Sequence, residues 1–166
     1  MDQTTSHADG TKKVAERIKG IRFAMLTTQG ADGTLRSRPM TTQERDFDGD
    51  LWFFTARDAP TAQDVGHNPQ VNAAYANPDK NDWVSVAGEA SLVDDPAKKR
   101  ELWNDALKAW FPDGLDDPEL VLLRVRASGA EYWDGAGKIT TLLGMARAAV
   151  TGKPATNMGD KGKVDL

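Results

Sequence analysis

The chain has 166 residues and a mass of 18.0 kDa, 39% hydrophobic and 28% charged. This is the size of one domain, which buries about 70% of its unfolded surface without help from a disulfide or a structural metal. With no cysteine and only two histidines, His7 and His67, it excludes iron–sulfur clusters, thiol nucleophiles, thiolate metal sites and a three-histidine metal centre. Twenty-one basic against 25 acidic residues give a net charge of −4 and a pI near 5.2, which argues against a nucleic-acid or anionic-membrane partner.

The opening MDQTTSHADGTKK is polar and has no apolar stretch of the secretory kind, and apolar runs such as Leu120 to Leu123 fall far short of the roughly 20 residues that cross a bilayer. A cytoplasmic protein is expected. Residues 1–10 read as a disordered lead, 11–150 as the domain, and 151–166 as a polar tail with the breakers Gly152, Pro154, Asn157 and Gly159.

Thr11 is placed to cap a short helix that aligns Val14, Ala15 and Ile18 and stops at Gly20. Ile21 to Thr28 alternates as a half-buried strand does, and Gln29 to Thr34 supplies a Gly and Asp turn into a return strand, Leu35 to Gln43. Pro39 confines that strand to an edge or a bulge. Asp48-Gly49 turns the chain into the β-prone run Leu51 to Thr55.

Pro60 suits the first position of one or two helical turns between Asp58 and Asn68. Gln70 to Ala76 and Trp83 to Val93 read as strands around the turn Asn77 to Asp82, with a bulge or close backbone approach expected at Gly88. Asp94 or Asp95 then caps a helix whose apolar stripe runs from Leu102 through Trp103, Ala106 and Leu107 to Trp110. Leu120 to Arg126 and Ala130 to Trp133 read as two strands separated by Ser128-Gly129, and Gly144 to Val150 as a final helical turn or two. Six or seven antiparallel strands with two helical insertions predict a mainly β barrel or sandwich rather than a βαβ fold.

Chemistry-bearing motifs are few. Phosphate-binding glycine loops, nucleophile elbows, HExxH and calcium loops are absent. No residue set has metal-ligand spacing, so no metal is expected. What remains is an ordered cluster: Ser37-Arg38-Pro39-Met40-Thr41-Thr42-Gln43, then Trp52-Phe53-Phe54-Thr55, then a helical turn. A phosphorylated aromatic ligand could use an Arg fork, hydroxyls, helix N–H groups and aromatic covers together. The plainer reading is that Arg36 and Arg38 alternate on a solvated strand face.

RPMTTQ, the FFT segment about a dozen residues later, Asn68-Pro69-Gln70-Val71 and the strand WVSVAGEA, in that order, resemble the FMN-binding split-barrel superfamily of the pyridoxamine-phosphate oxidases. The chain is most similar to the general stress protein 26 branch, over roughly Ile18 to Asp134, including the Glu131-Tyr132-Trp133-Asp134 strand. The resemblance implies a six-stranded antiparallel split barrel with peripheral helices, paired as a two-fold homodimer whose cofactor sites lie between the barrels.

It also implies site residues. Arg38 would meet the FMN phosphate, Met40, Thr41 and Gln43 the flavin edge, and Phe54 with Thr55 match an aromatic-Thr pair. Thr61 stands where relatives carry a phosphate-binding Lys, and a hydroxyl cannot replace that cation. Trp83 corresponds to a position that reaches the flavin of the neighbouring subunit, and Trp133 either covers the ring or serves the core.

No counterpart of the carboxyl-terminal Arg segment of pyridoxamine-phosphate oxidases occurs in GKPATNMGDKGKVDL, so vitamin B6 oxidation is not implied. The resemblance points to an FMN-binding general stress protein, whose flavin could make it an oxidoreductase with no catalytic side chain of its own. FAD or the deazaflavin F420 are alternative cofactors, and a non-catalytic module that sequesters flavin is an alternative role.

Overall fold

The computed structural model describes residues 7–43, 45–135, 138–154 and 159–166, with side chains at all of these except 138–141, 144 and 159. Seven strands form one antiparallel sheet: β1 Phe23–Gln29, β2 Leu35–Thr41, β3 Asp50–Ala56, β4 Gln70–Asn77, β5 Asp82–Val93, β6 Leu120–Gly135 and β7 Gly159–Asp165. Neighbours run in the order β2-β1-β4-β5-β6-β3, with β7 on β6. The sheet curls into the half-barrel of a split-barrel fold, with β2 and β3 at the two ends of the path. Among the described residues four α-helices surround it, α1 His7–Ile18, α2 Pro60–His67, α3 Pro96–Leu102 and α4 Lys138–Thr151. Among the described residues no helix is long and apolar enough to cross a membrane.

Alternation fixes the inside of the curl. Ala24, Leu26 and Thr28 of β1, Leu51, Phe53 and Thr55 of β3, and Val71, Ala73 and Tyr75 of β4 are all buried. A second, smaller cluster forms on the outer side, where Phe54, Leu120 and Leu122 pack under Leu102 and Leu107. Phe54 meets Trp103 edge-to-face at 5.6 Å.

Five sequence expectations need correction. Helix α1 begins at His7, inside the segment read as a disordered lead, and Thr11 sits within it, its hydroxyl donating to the His7 carbonyl (3.0 Å). Residues 1–6 lie outside the described residues. Ser128-Gly129 is not a turn between two strands. Ala87 pairs with Gly129 and Gly88 with Ala127, so Ser128 is one extra residue in a continuous β6. Gly88 is the close approach that the sequence marked, because a Cβ there would collide with the Arg126 carbonyl oxygen.

The stripe from Leu102 to Trp110 is not one helix. Trp103 turns extended, and the Asn104 side chain accepts from the Ala106 N–H (2.9 Å), starting a separate 3-10 turn over Asp105–Ala109. The final helix is longer than the one or two turns read at Gly144 to Val150. The polar tail contains β7, which zips onto β6 from Gly135↔Gly159 to Gly129↔Asp165. Asn157 lies outside the described residues.

Candidate functional site

On β2, Arg36, Arg38 and Met40 share one face, and the register pairs Arg38 with fully buried Leu26 of β1. Arg38 therefore points inward, contrary to the solvated-face reading. Its side chain is 26% exposed and meets α2, where its two terminal nitrogens donate to Asp64 Oδ2, each at 3.2 Å. Nη1 also donates to the Thr28 hydroxyl (3.0 Å), which in turn donates to the same carboxylate oxygen (2.8 Å). The Thr28 hydroxyl holds the Asp64 carboxyl below its ordinary range, against the opposing effect of burial and with further help from Arg38. Arg36 instead pairs with Asp32 in the β1–β2 turn (3.0 Å).

Thr61 lies one helical turn before Asp64 on α2 and is 5% exposed. The helix starts with Pro60 after Ala59, which offers no side-chain cap, so the N–H groups of the first turn have no capping oxygen from Ala59. Arg38, Thr28 and Asp64 thus form one polar cluster between β1, β2 and α2, with Thr61 one helical turn before Asp64 on the same helix. Thr55 is buried on the inward face of the neighbouring edge strand β3.

Thr41 and Gln43 lie farther along, where β2 leaves the sheet, and line a cleft of about 1130 Å³. The Gln43 side-chain amide donates to the Thr41 carbonyl (3.2 Å). Met40 is half-buried against the main core. Phe54 faces the other way, into the small cluster under Trp103.

Trp83 and Trp133 stand directly opposite each other on β5 and β6, 41% and 38% exposed on the outer face of the sheet. Lys161 of β7 lies over the Trp133 ring at 5.8 Å. Phe23 and Met25 of β1 are exposed on the same outer face. The structure thus brings Arg38 and Thr61 to one pole, Thr41 and Gln43 to a second, and the two indoles to an open surface.

Sequence reasoning missed two buried charged residues. Asp64 looks like an ordinary helix-surface acid, though its three-residue spacing from Thr61 puts both on one helical face. Lys99 is 8% exposed and donates to Asp94 (2.8 Å) and to the Leu120 carbonyl (2.9 Å), tying α3 to the start of β6.

Residues 9–156 match the family described as pyridoxamine 5'-phosphate oxidase like. The chain belongs to that family. Its relatives include protein bli-3 of Neurospora crassa, 34% identical over 146 residues that cover 81% of this chain and 70% of that protein. General stress protein 26 of Bacillus subtilis is 34% identical over 92 residues, 54% of this chain and 65% of that one. Among solved structures, the general stress FMN/FAD binding protein of Xanthomonas citri is 32% identical, covers 79% of this chain and 92% of its own, and superposes with a TM-score of 0.67. Within the family, the chain falls in the general stress protein 26 branch.

Proposed function

We propose that this chain binds FMN, with the phosphate at Arg38 and the start of α2, and works as a homodimer. The observation that carries the reading is Arg38 itself, a guanidinium held by Asp64 and Thr28 beside an uncapped helix start and the Thr61 hydroxyl. That donor set fits a phosphate monoester: a fixed fork, a hydroxyl and free backbone N–H groups. The flavin binding described for the Xanthomonas citri relative supports the same cofactor.

The donor set holds one inward-facing cation, where a Lys at position 61 would make two. Asp64 neutralises part of that charge, so phosphate contributes less to affinity here than a two-cation cradle would allow. Thr41 and Gln43, farther along the same strand, would meet the flavin edge. Bound FMN would supply hydride and single-electron transfer, and the side chains supply position and exclusion of water. An oxidoreductase role follows if the loaded protein turns over.

The homodimer reading rests on the outer face of the sheet. Phe23, Met25, Trp83 and Trp133 are large apolar side chains exposed on that face, and a second copy would cover them by presenting the same face across a two-fold axis. Trp83 would then reach the cofactor site of the other copy.

The absorption spectrum of the protein as purified, followed by FMN titration of flavin-free protein, tests the cofactor. Saturable quenching of FMN fluorescence is expected. Colourless protein that leaves added FMN fluorescence and mobility unchanged sinks the reading. NADH or NADPH oxidation by the FMN-loaded protein, compared with the same concentration of free FMN, separates an oxidoreductase from a flavin-sequestering module.

A further inference from the structure

Helix α4 turns its large apolar side chains to solvent. Leu142 is 70% exposed, Leu143 65%, Met145 53% and Val150 87%. At about 100° per residue, Leu142, Leu143, Ala146, Ala149 and Val150 fall on one side of the helix, with Met145 at the edge of the stripe. Ala148, on the side away from Leu143 and Val150, is the one half-buried residue among the described side chains of α4. Among the described residues no α4 side chain belongs to either buried cluster. A surface helix ordinarily buries its apolar stripe against the core, and this one points it outward.

The helix has a defined point of attachment. Strand β6 ends at Gly135 and β7 starts at Gly159, and these two residues are paired. The segment between them therefore leaves and rejoins the sheet at one place, two residues beyond Trp133 on the outer face. Its 14-residue helix is about 21 Å long, enough to cross four strands spaced about 4.8 Å apart.

Charge narrows what could cover the stripe. Residues 135–159 hold Lys138, Arg147 and Lys153 and no acid, so the net charge of −4 comes entirely from the rest of the chain. A second copy offers this cationic segment an acidic body together with an apolar face. An anionic bilayer would attract the segment and repel the body behind it, so charge favours the second copy.

We propose that α4 is a dimer arm whose stripe from Leu142 to Val150 lies across Phe23 and Met25 of a second copy. This rests on the homodimer reading and adds to it an element outside the sheet. With a two-fold axis running along the strands between Trp83 and Trp133, the β6 side of one copy faces the β1 side of the other. Met25 lines up through Ala74 with Ser85, the next outward residue after Trp83 on β5, so the start of β1 falls beneath the partner's arm. Each copy gives one arm and receives one.

The chain has no cysteine, so Leu143→Cys provides a single attachment point for a benzophenone maleimide. The labelled protein is exchanged with 15N-labelled parent at low concentration, mixed dimers are verified by native mass spectrometry, and the sample is illuminated. A link from the light arm to the heavy tryptic peptide 23–36, which holds both Phe23 and Met25, is expected. Leu143→Glu and Val150→Glu, both at exposed positions, should keep near-native circular dichroism and weaken the dimer at least tenfold in sedimentation equilibrium.

Links confined to the arm's own chain overturn the proposal, as does dimerisation of both glutamate variants as tight as the parent's. If the parent then still dimerises and Trp83→Arg does not, the arm falls and the homodimer reading stands; a monomeric parent removes both. Phosphatidylglycerol vesicles should leave the parent in the supernatant when they are pelleted. Pelleting with the vesicles that Leu143→Glu abolishes would make lipid the occupant of the stripe and overturn the proposal.

Discussion

Arg38 and Asp64, 26 residues apart in the chain, are joined by two hydrogen bonds of 3.2 Å that end on one carboxylate oxygen, and Thr28 donates to that same oxygen at 2.8 Å. Asp64 therefore orients the guanidinium and offsets its charge. The two effects oppose each other for a phosphate ligand, and mutation can separate them.

Arg38→Ala should cost FMN about ten- to a hundredfold in affinity, as expected for a hydrogen-bonded charged group, with a much smaller loss for riboflavin. Thr61→Lys should tighten FMN and leave riboflavin unchanged. Asp64→Asn should tighten FMN at least threefold relative to riboflavin, since it removes a negative charge beside the phosphate. Isothermal titration of both ligands against each folded variant reads these ratios. A folded Arg38→Ala protein that binds FMN as tightly as the parent contradicts the placement.

The same pair predicts a pH dependence of stability. The Asp64 carboxyl titrates below its ordinary range in the folded chain, whereas in the unfolded chain it titrates near pH 3.9. The unfolded state therefore takes up the proton first, and the stabilisation is complete above about pH 4 and lost as pH falls through the folded value. Asp64→Asn should be less stable than the parent by about 1 kcal/mol at pH 7, because the amide keeps an acceptor but no charge. Urea unfolding at several pH values should show that gap closing below about pH 4; a gap that widens there reverses the sign and rejects the account.

Trp83 and Trp133 face each other on open sheet, so a single charge between them should prevent a second copy from seating. Trp83→Arg should sediment as one 18.0 kDa chain where the parent sediments as two. Near-native circular dichroism of the variant shows that the barrel itself is intact. A parent that already sediments as a single chain at micromolar concentration removes the dimer.

Gly88 and Gly162 both sit at close approaches, against different kinds of neighbour. At Gly88 a Cβ would meet backbone, the Arg126 carbonyl, while at Gly162 it would meet the Tyr132 ring, which packs under β7. Gly88→Ala should destabilise by about 2 kcal/mol or more, since the backbone on both sides is fixed by ladder pairing. Gly162→Ala should be milder and confined to β7, visible as faster hydrogen exchange in residues 159–165 with the rest of the sheet protected.

Period-2 alternation made β1, β4 and β5 legible to within a residue or two, because each buries one face and exposes the other. What alternation cannot reveal is a strand held mainly by its neighbour. β7 reads GDKGKVD, with Val164 as its single large apolar residue, and its pairing to β6 supplies what its composition lacks. Ser128-Gly129 carried a turn signal, but β5 continues past it on the partner side and the chain takes a bulge instead of reversing. Arg38 was legible as a residue of interest while its orientation was not, because one residue of register decides between solvent and interior. Asp64 carried no local mark at all. Its role depends on α2 folding back over β1, a contact between segments that no window of sequence contains.

Helix α1 and strand β7 meet across the barrel: Val14 and Val164 belong to one buried cluster, and the Gly10 backbone lies against the Val164 side chain. The earliest described element and the last are therefore neighbours, and this has a consequence for synthesis. A nascent chain that has emerged only through β6 lacks the strand that walls α1, and its Val14 stays uncovered on that side. Folding to completion must wait for residue 164 to clear the ribosome, so the helix is the segment most exposed to chaperones and proteases during translation.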